Sequence, residues 1–430
     1  MPIVAAAKTL YSQPMFRMML SSNELFHSNF LQWICETLTE PPAEQEPGRI
    51  TVQAAEKMAI ILGHPLMVAP GVSYFTVHRE ENKFDLLLSA RTENSKKSTP
   101  WLAVEVKVKS WPISTQLENF FQGPLNETGH LVLLTLARGE NINELLDIEP
   151  GRVSCISFSA LAHNITQEVN LAGVAPQYIN WVNAYSNLCV CLDQFFECMR
   201  QQCNPEMTIG DVVELGNTLA PYRLNAIWWK NAIDVLRSEV SSKLHVIGEA
   251  ENFLLEPNFS NSRGILHCVI KQPLIAWGAD LELGVQVQGN SFRLLLTIRI
   301  KEEMADRPAQ LHNLNGKQAR ELAENFLINA EAIGLFERRP ALAIDEQIEE
   351  PLLFDSQSTG GRGGFTLTGY ANGPGHGFAD YRYKLKDAVT LNQIASEIVK
   401  ILINDEYHRE NLTLSNFRIN QDLLNLVLEE

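Results

Sequence analysis

Leu102-Ala103-Val104-Glu105-Val106-Lys107-Val108-Lys109 alternates without a break, and such alternation predicts a β-strand with two chemically distinct faces. Leu102, Val104, Val106 and Val108 fall on one face; Glu105, Lys107 and Lys109 fall on the other. Residues two apart on a strand are separated by ~6.6 Å, so a carboxylate and an ammonium on one face reach a common small object. Just upstream, Phe84-Asp85-Leu86-Leu87-Leu88 places a single acid at the start of a compact apolar run. An isolated carboxylate is costly to desolvate and calls for a partner or a metal. If the two strands pair, Asp85 and Glu105 converge on a divalent ion. Carboxylate oxygens suit Mg²⁺ or Mn²⁺, and Mg²⁺ keeps several waters. A water made acidic there would attack a phosphodiester, with Lys107 orienting it or stabilising the developing charge. A plainer reading makes Glu105, Lys107 and Lys109 the solvent face of an amphipathic strand, and Asp85 the first residue after a turn.

Working outward, residues 72–78 and 84–89 also read as strands, joined to 101–110 by short links that suit a meander. A helix is expected from about Ser114, then a strand over 131–136 and another over 153–158 that leads into a helix. Upstream, 14–39 has helical spacing, with Ser21 or Ser22 able to cap a fresh helix, and Pro41-Pro42 ends it. A second helix fits 51–62, stopped by Gly63 and Pro65. This order of elements predicts an α/β layer.

Residues 160–243 look mainly helical and include a helix over 222–240 with Trp228-Trp229, read as packing residues like the methionines near 15–19. Strands return at 265–270, 281–287 and 292–300, and helices at 317–333 and 391–403 flank a glycine-rich segment over 359–377. The expected organisation is residues 1–165 as a first domain, 166–250 as a helical region, and 251–430 as an α+β C-terminal domain.

The formal net charge of −16 means the chain does not attract polyanions through its overall field. Residues 1–150 hold 12 Lys+Arg and 17 Asp+Glu, a net of −5, which leaves −11 on residues 151–430. The charge deficit therefore lies mainly away from the strand pair. No apolar run approaches the ~20 residues of a bilayer span. The N-terminus lacks a basic segment ahead of an apolar one, so a cytoplasmic protein is expected. Seven cysteines without a C-x-x-C pair read as buried or free thiols in a reducing compartment.

Glu-x-Lys alone is a weak signal, and a second copy, Glu81-Asn82-Lys83, sits in a polar turn. Context separates the copy at 105–107. Phe84-Asp85 followed by Val104-Glu105-Val106-Lys107 resembles the D…(D/E)-x-K signature of the PD-(D/E)XK nuclease superfamily. Asn23-Glu24-Leu25-Phe26-His27-Ser28-Asn29-Phe30-Leu31-Gln32-Trp33 resembles the opening helix of its stand-alone nuclease-like branch, and Ser114-Thr115-Gln116-Leu117 its crossover-helix start. The likeness covers about residues 15–165. It departs at Phe84, where the family name has proline, and at Phe120, where a tyrosine is expected.

The resemblance implies a restriction-endonuclease-like N-terminal mixed sheet flanked by helices, and a metal-dependent endonuclease acting on nucleic acid, DNA in the first place. Asp85 and Glu105 would be metal ligands, Glu24 the acid that completes the site, Lys107 the catalytic lysine and Gln116 a site-facing residue. Mg²⁺ or Mn²⁺ is the implied cofactor, and restriction or phage defence the implied setting. The C-terminal half would select substrate, sense or form a homo-oligomer. The alternative is a binding or scaffold protein that keeps the fold without turnover. Glu24 also suits a plain first-turn acid on a helix dipole, and His27, three residues on, a structural helix residue. Lys96-Lys97 with Arg91 reads as a solvated loop, and Gly360-Gly361-Arg362-Gly363-Gly364 matches neither a P-loop nor a dinucleotide fingerprint.

Overall fold

A computed structural model describes residues 2–20, 23–38, 48–93, 98–108, 114–125, 129–136, 142, 145–171, 176–248, 253–258, 264–274, 279–300, 366–367 and 376–403. The expected helix over 317–333, the run Gly360 to Gly364, Lys96, Lys97 and Lys109 lie outside the described residues. The chain folds as two compact units, Met1–Gln202 with Leu219–Leu224, and Cys203–Thr218 with Asn225–Glu430. The segment 166–250, expected as one helical region, is thus shared between them.

The first unit opens with three helices, α1 (Ile3–Ser12), α2 (Pro14–Met19) and α3 (Asn23–Thr37). The long helix expected over 14–39 is therefore two, with α3 starting afresh just after the serines. Met15 and Met19 enter the core, while Met18 is exposed. After β1 (Arg49–Ile50), α4 (Val52–Ile61) begins where the Thr51 hydroxyl accepts the Ala54 N–H at 3.1 Å. Strands β2 (Tyr74–His78), β3 (Leu86–Arg91) and β4 (Thr99–Lys107) follow, then α5 (Ser114–Gln122), β5 (His130–Thr135) and β6 (Val153–Ile156).

The sheet order is the sequence order, β1 to β6. The four strands up to β4 pair antiparallel, as expected for a meander, whereas β4–β5 and β5–β6 are parallel, with α5 in the crossover between β4 and β5. The result is a six-stranded mixed sheet with β4 inside it. Helix α3 packs against the strands from β1 to β4, and α6 (Phe158–Leu171) joins α7 (Pro176–Gln202) beside α4 and α1. Ser159 caps α6 onto α7: its N–H donates to Asp193 at 2.8 Å and its hydroxyl donates to the same oxygen.

The second unit holds α8 (Ile209–Leu219), α9 (Asn225–Val246), strands β7 (Leu254–Asn258), β8 (Ile265–Leu274), β9 (Ala279–Gln288), β10 (Ser291–Ile300), β11 (Thr366–Leu367) and β12 (His376–Lys384), and α10 (Leu391–Ile403). The strands make a second, antiparallel sheet in the order β11-β12-β10-β9-β8-β7. Helices α9 and α10 pack on each other and against it, over Leu266, Cys268, Val285, Val287 and Phe292. Trp228 is fully buried and donates its indole N–H to the Val212 carbonyl at 2.8 Å. Thr390 and Gln393 cap α10 reciprocally, each side chain bonding the other's N–H. Among the described residues no helix is long and apolar enough to cross a membrane. None of the seven cysteines is in a disulfide.

Candidate active site

Strand β4 carries Glu105 and Lys107 on one face, as its alternation requires. Neither face is open to solvent: Val104 and Val106 are fully buried, and Glu105 is only 3% exposed. This removes the reading of Glu105 as part of a solvated face. A carboxylate held at this depth needs compensation, and its neighbours supply it. Lys107 Nζ lies 2.6 Å from Glu105 Oε1, and the same oxygen accepts the Gln116 amide N–H at 2.7 Å. Helix α5 delivers Gln116 because its apolar residues Leu117 and Phe120 are buried, with Phe120 packed 4.4 Å from the ring of Phe84.

Asp85 reaches the same strand from the residue just before β3. The antiparallel register ends at Leu86↔Val104, the residues that follow Asp85 and precede Glu105. The ladder stops there because the chain leaves it through a strained turn in which Glu80, Asn82 and Lys83 have φ of 56°, 54° and 70°. Left-handed backbone costs a residue with a Cβ ~1 kcal/mol or more, so the turn needs outside anchors. Buried Phe84 is one of them. The Asp85 carboxylate is the other: its Oδ2 accepts the Val106 N–H at 2.6 Å, taking the place of a strand partner.

Of the five residues singled out from the sequence, Glu105, Lys107 and Gln116 thus meet, and Asp85 bonds the β4 main chain between Glu105 and Lys107. The fifth, Glu24, lies on the first turn of α3, and its side chain falls outside the described residues. His27 is no ligand. It is fully buried, with Nδ1 2.8 Å from the Tyr185 hydroxyl and Nε2 3.2 Å from Met19 Sδ. Burial lowers its pKa to about 3, so the ring is neutral. One buried polar neighbour is not evident from the sequence alone. Thr135 of β5, 1% exposed, pairs in register with Lys107 and shares its face. Its only signal is being the one polar residue in the run Leu131-Val132-Leu133-Leu134-Thr135-Leu136.

Glu105 on β4 and Asp85 just before β3 offer carboxylate oxygens, the donor type that a hard divalent cation such as Mg²⁺ or Mn²⁺ takes. Among the described residues no three His, Cys, Asp or Glu side chains gather at one point. No family model, characterised protein or solved structure matches this chain.

Proposed function

We propose that the N-terminal unit is a metal-dependent nuclease that hydrolyses phosphodiester bonds in nucleic acid, DNA in the first place. The observation that carries this reading is the Glu105 carboxylate, buried on a central strand and clasped by Lys107 and Gln116, with the Asp85 carboxylate bonded to the next residue's N–H at Val106. A structural ion pair needs neither the amide nor the second acid; a phosphoryl-transfer site uses both.

In this reading the sheet is of the restriction-endonuclease type, and Asp85 and Glu105 hold Mg²⁺ or Mn²⁺, completed by Glu24 from α3. The bound ion would supply an acidified water and neutralise charge on the phosphate. Gln116 keeps the Glu105 carboxylate in its orientation. Lys107 holds a positive charge where the reacting phosphoryl oxygens would gather. The acidic second unit would select substrate, sense or join copies of the chain, in a cytoplasmic restriction or phage-defence setting.

Purified full-length protein is incubated with double-stranded DNA, single-stranded DNA and RNA, with Mn²⁺, Mg²⁺ or a chelator. Metal-dependent cleavage is expected, falling at least ~100-fold in Lys107→Ala and Glu105→Gln. Equal cleavage by Lys107→Ala defeats the proposal. Binding without cleavage by the wild-type chain supports the scaffold alternative instead.

A further inference from the structure

At the opposite end of the N-terminal sheet, two histidines face each other. His64 Nε2 lies 3.0 Å from His130 Nδ1, with ring centroids 5.0 Å apart and planes inclined by 50°. His130 pairs with Leu102 of β4, three positions before Glu105 and five before Lys107, which places it ~10 Å and ~17 Å along the strand from those two residues.

Both rings stand on fixed backbone. His64 is the third residue beyond α4, where Gly63, at φ 68°, gives its N–H to the Ile60 carbonyl and His64 gives its own to Ala59. This pair of bonds is the Schellman pattern, which pins the residue after the glycine. His130 opens β5 inside the ladder.

Burial lowers the pKa of both rings, and for His130 the neighbouring His64 and Arg152 lower it further, while a bond to the Gly151 main chain opposes this. The 3.0 Å contact is a hydrogen bond in which one ring donates, and a metal would take the place of that proton after a change of tautomer. The Arg152 charge is answered locally by the Gly129 and Leu125 carbonyls and by Glu149 at 3.6 Å.

Two nitrogens each bound at ~2.05 Å lie ~2.9 Å apart at a right angle and ~3.3 Å apart at the tetrahedral angle. The observed 3.0 Å falls between these limits. We propose that His64 and His130 form a binding site for a divalent transition-metal ion of the Zn²⁺ or Ni²⁺ class, with water completing the shell at this half-exposed position. Imidazole nitrogen favours these ions over Mg²⁺, so the site is chemically distinct from the acidic one and does not depend on nuclease activity.

The test is Zn²⁺ titration calorimetry on chelator-stripped full-length protein, wild type against His64→Gln, His130→Gln and the double variant. Thermal unfolding without metal confirms that the variants fold. A parallel Co²⁺ titration reports ligand type, since thiolate ligation adds an intense charge-transfer band that imidazole does not. We expect one equivalent of Zn²⁺ to weaken at least tenfold in each single variant, no thiolate band for that equivalent, and no competition from excess Mg²⁺. An unchanged isotherm in the double variant, or no Zn²⁺ uptake by the wild type, overturns the proposal.

Discussion

Lys107 Nζ rests 2.6 Å from Glu105 Oε1, with side-chain exposures of only 12% and 4%. Removing one partner of such a pair strands the other charge, which typically costs 3–5 kcal/mol, whereas removing both is far milder. Lys107→Ala should therefore destabilise the N-terminal unit by about 3 kcal/mol in urea unfolding, and the Glu105→Gln/Lys107→Ala double variant should recover most of that loss. Equal stabilities for the single and double variants would show that the pair is not coupled.

Asp85 joins two tasks that substitution can separate. Asparagine keeps an oxygen able to accept the Val106 N–H, whereas alanine leaves that donor without its carboxylate acceptor. Asp85→Asn should stay within ~0.5 kcal/mol of wild type yet lose nuclease activity, and Asp85→Ala should lose activity together with 1–3 kcal/mol of stability. Full cleavage by a well-folded Asp85→Asn protein would remove this acid from the chemistry.

His27 makes stability depend on acid. Its folded pKa, about 3, lies below the unfolded value of 6.5. Above pH 6.5 both states are neutral and the residue adds no pH dependence. As pH falls through 6.5 the unfolded chain takes up a proton that the folded chain refuses, so stability declines until about pH 3. The loss should reach about 3 kcal/mol by pH 4. Urea midpoints at pH 7 and pH 4 check this, and His27→Gln should flatten the slope. An unchanged slope would assign the acid sensitivity elsewhere.

In the second unit, a Cβ at Gly284 would clash with the Cys268 carbonyl oxygen and fall 2.9 Å from Val269 Cα. Both neighbours are backbone on the paired strand β8, so no side chain can yield. Gly284→Ala should cost at least ~3 kcal/mol and broaden or abolish unfolding of that sheet, read by circular dichroism. A near-neutral melt would mean that the two strands separate more easily than their register implies.

The strand pair was legible because both signals are local. The alternation of Leu102 to Val108 sets the faces of β4, and an acid opening an apolar run marks Asp85. Burial of both faces was not legible, since the covering helices come from elsewhere in the chain. The Asp85–Val106 bond depends on where the ladder ends, which the left-handed residues at 80–83 decide. Tyr185 stands 158 residues from His27, beyond any periodicity argument. Helix α10 runs Leu391–Ile403, as read from its apolar spacing. By contrast, α1, β1, β7 and β12 were missed, β1 because two residues leave no period to detect.

The N-terminal sheet tapers outward from its nine-residue strand β4 to β1, with two residues, and β6, with four. A margin this brief exposes few unpaired main-chain groups for a passing polypeptide to zip onto. The N-terminal sheet can thus concentrate apolar residues in its longest strand while presenting little edge on which a fibril could be templated.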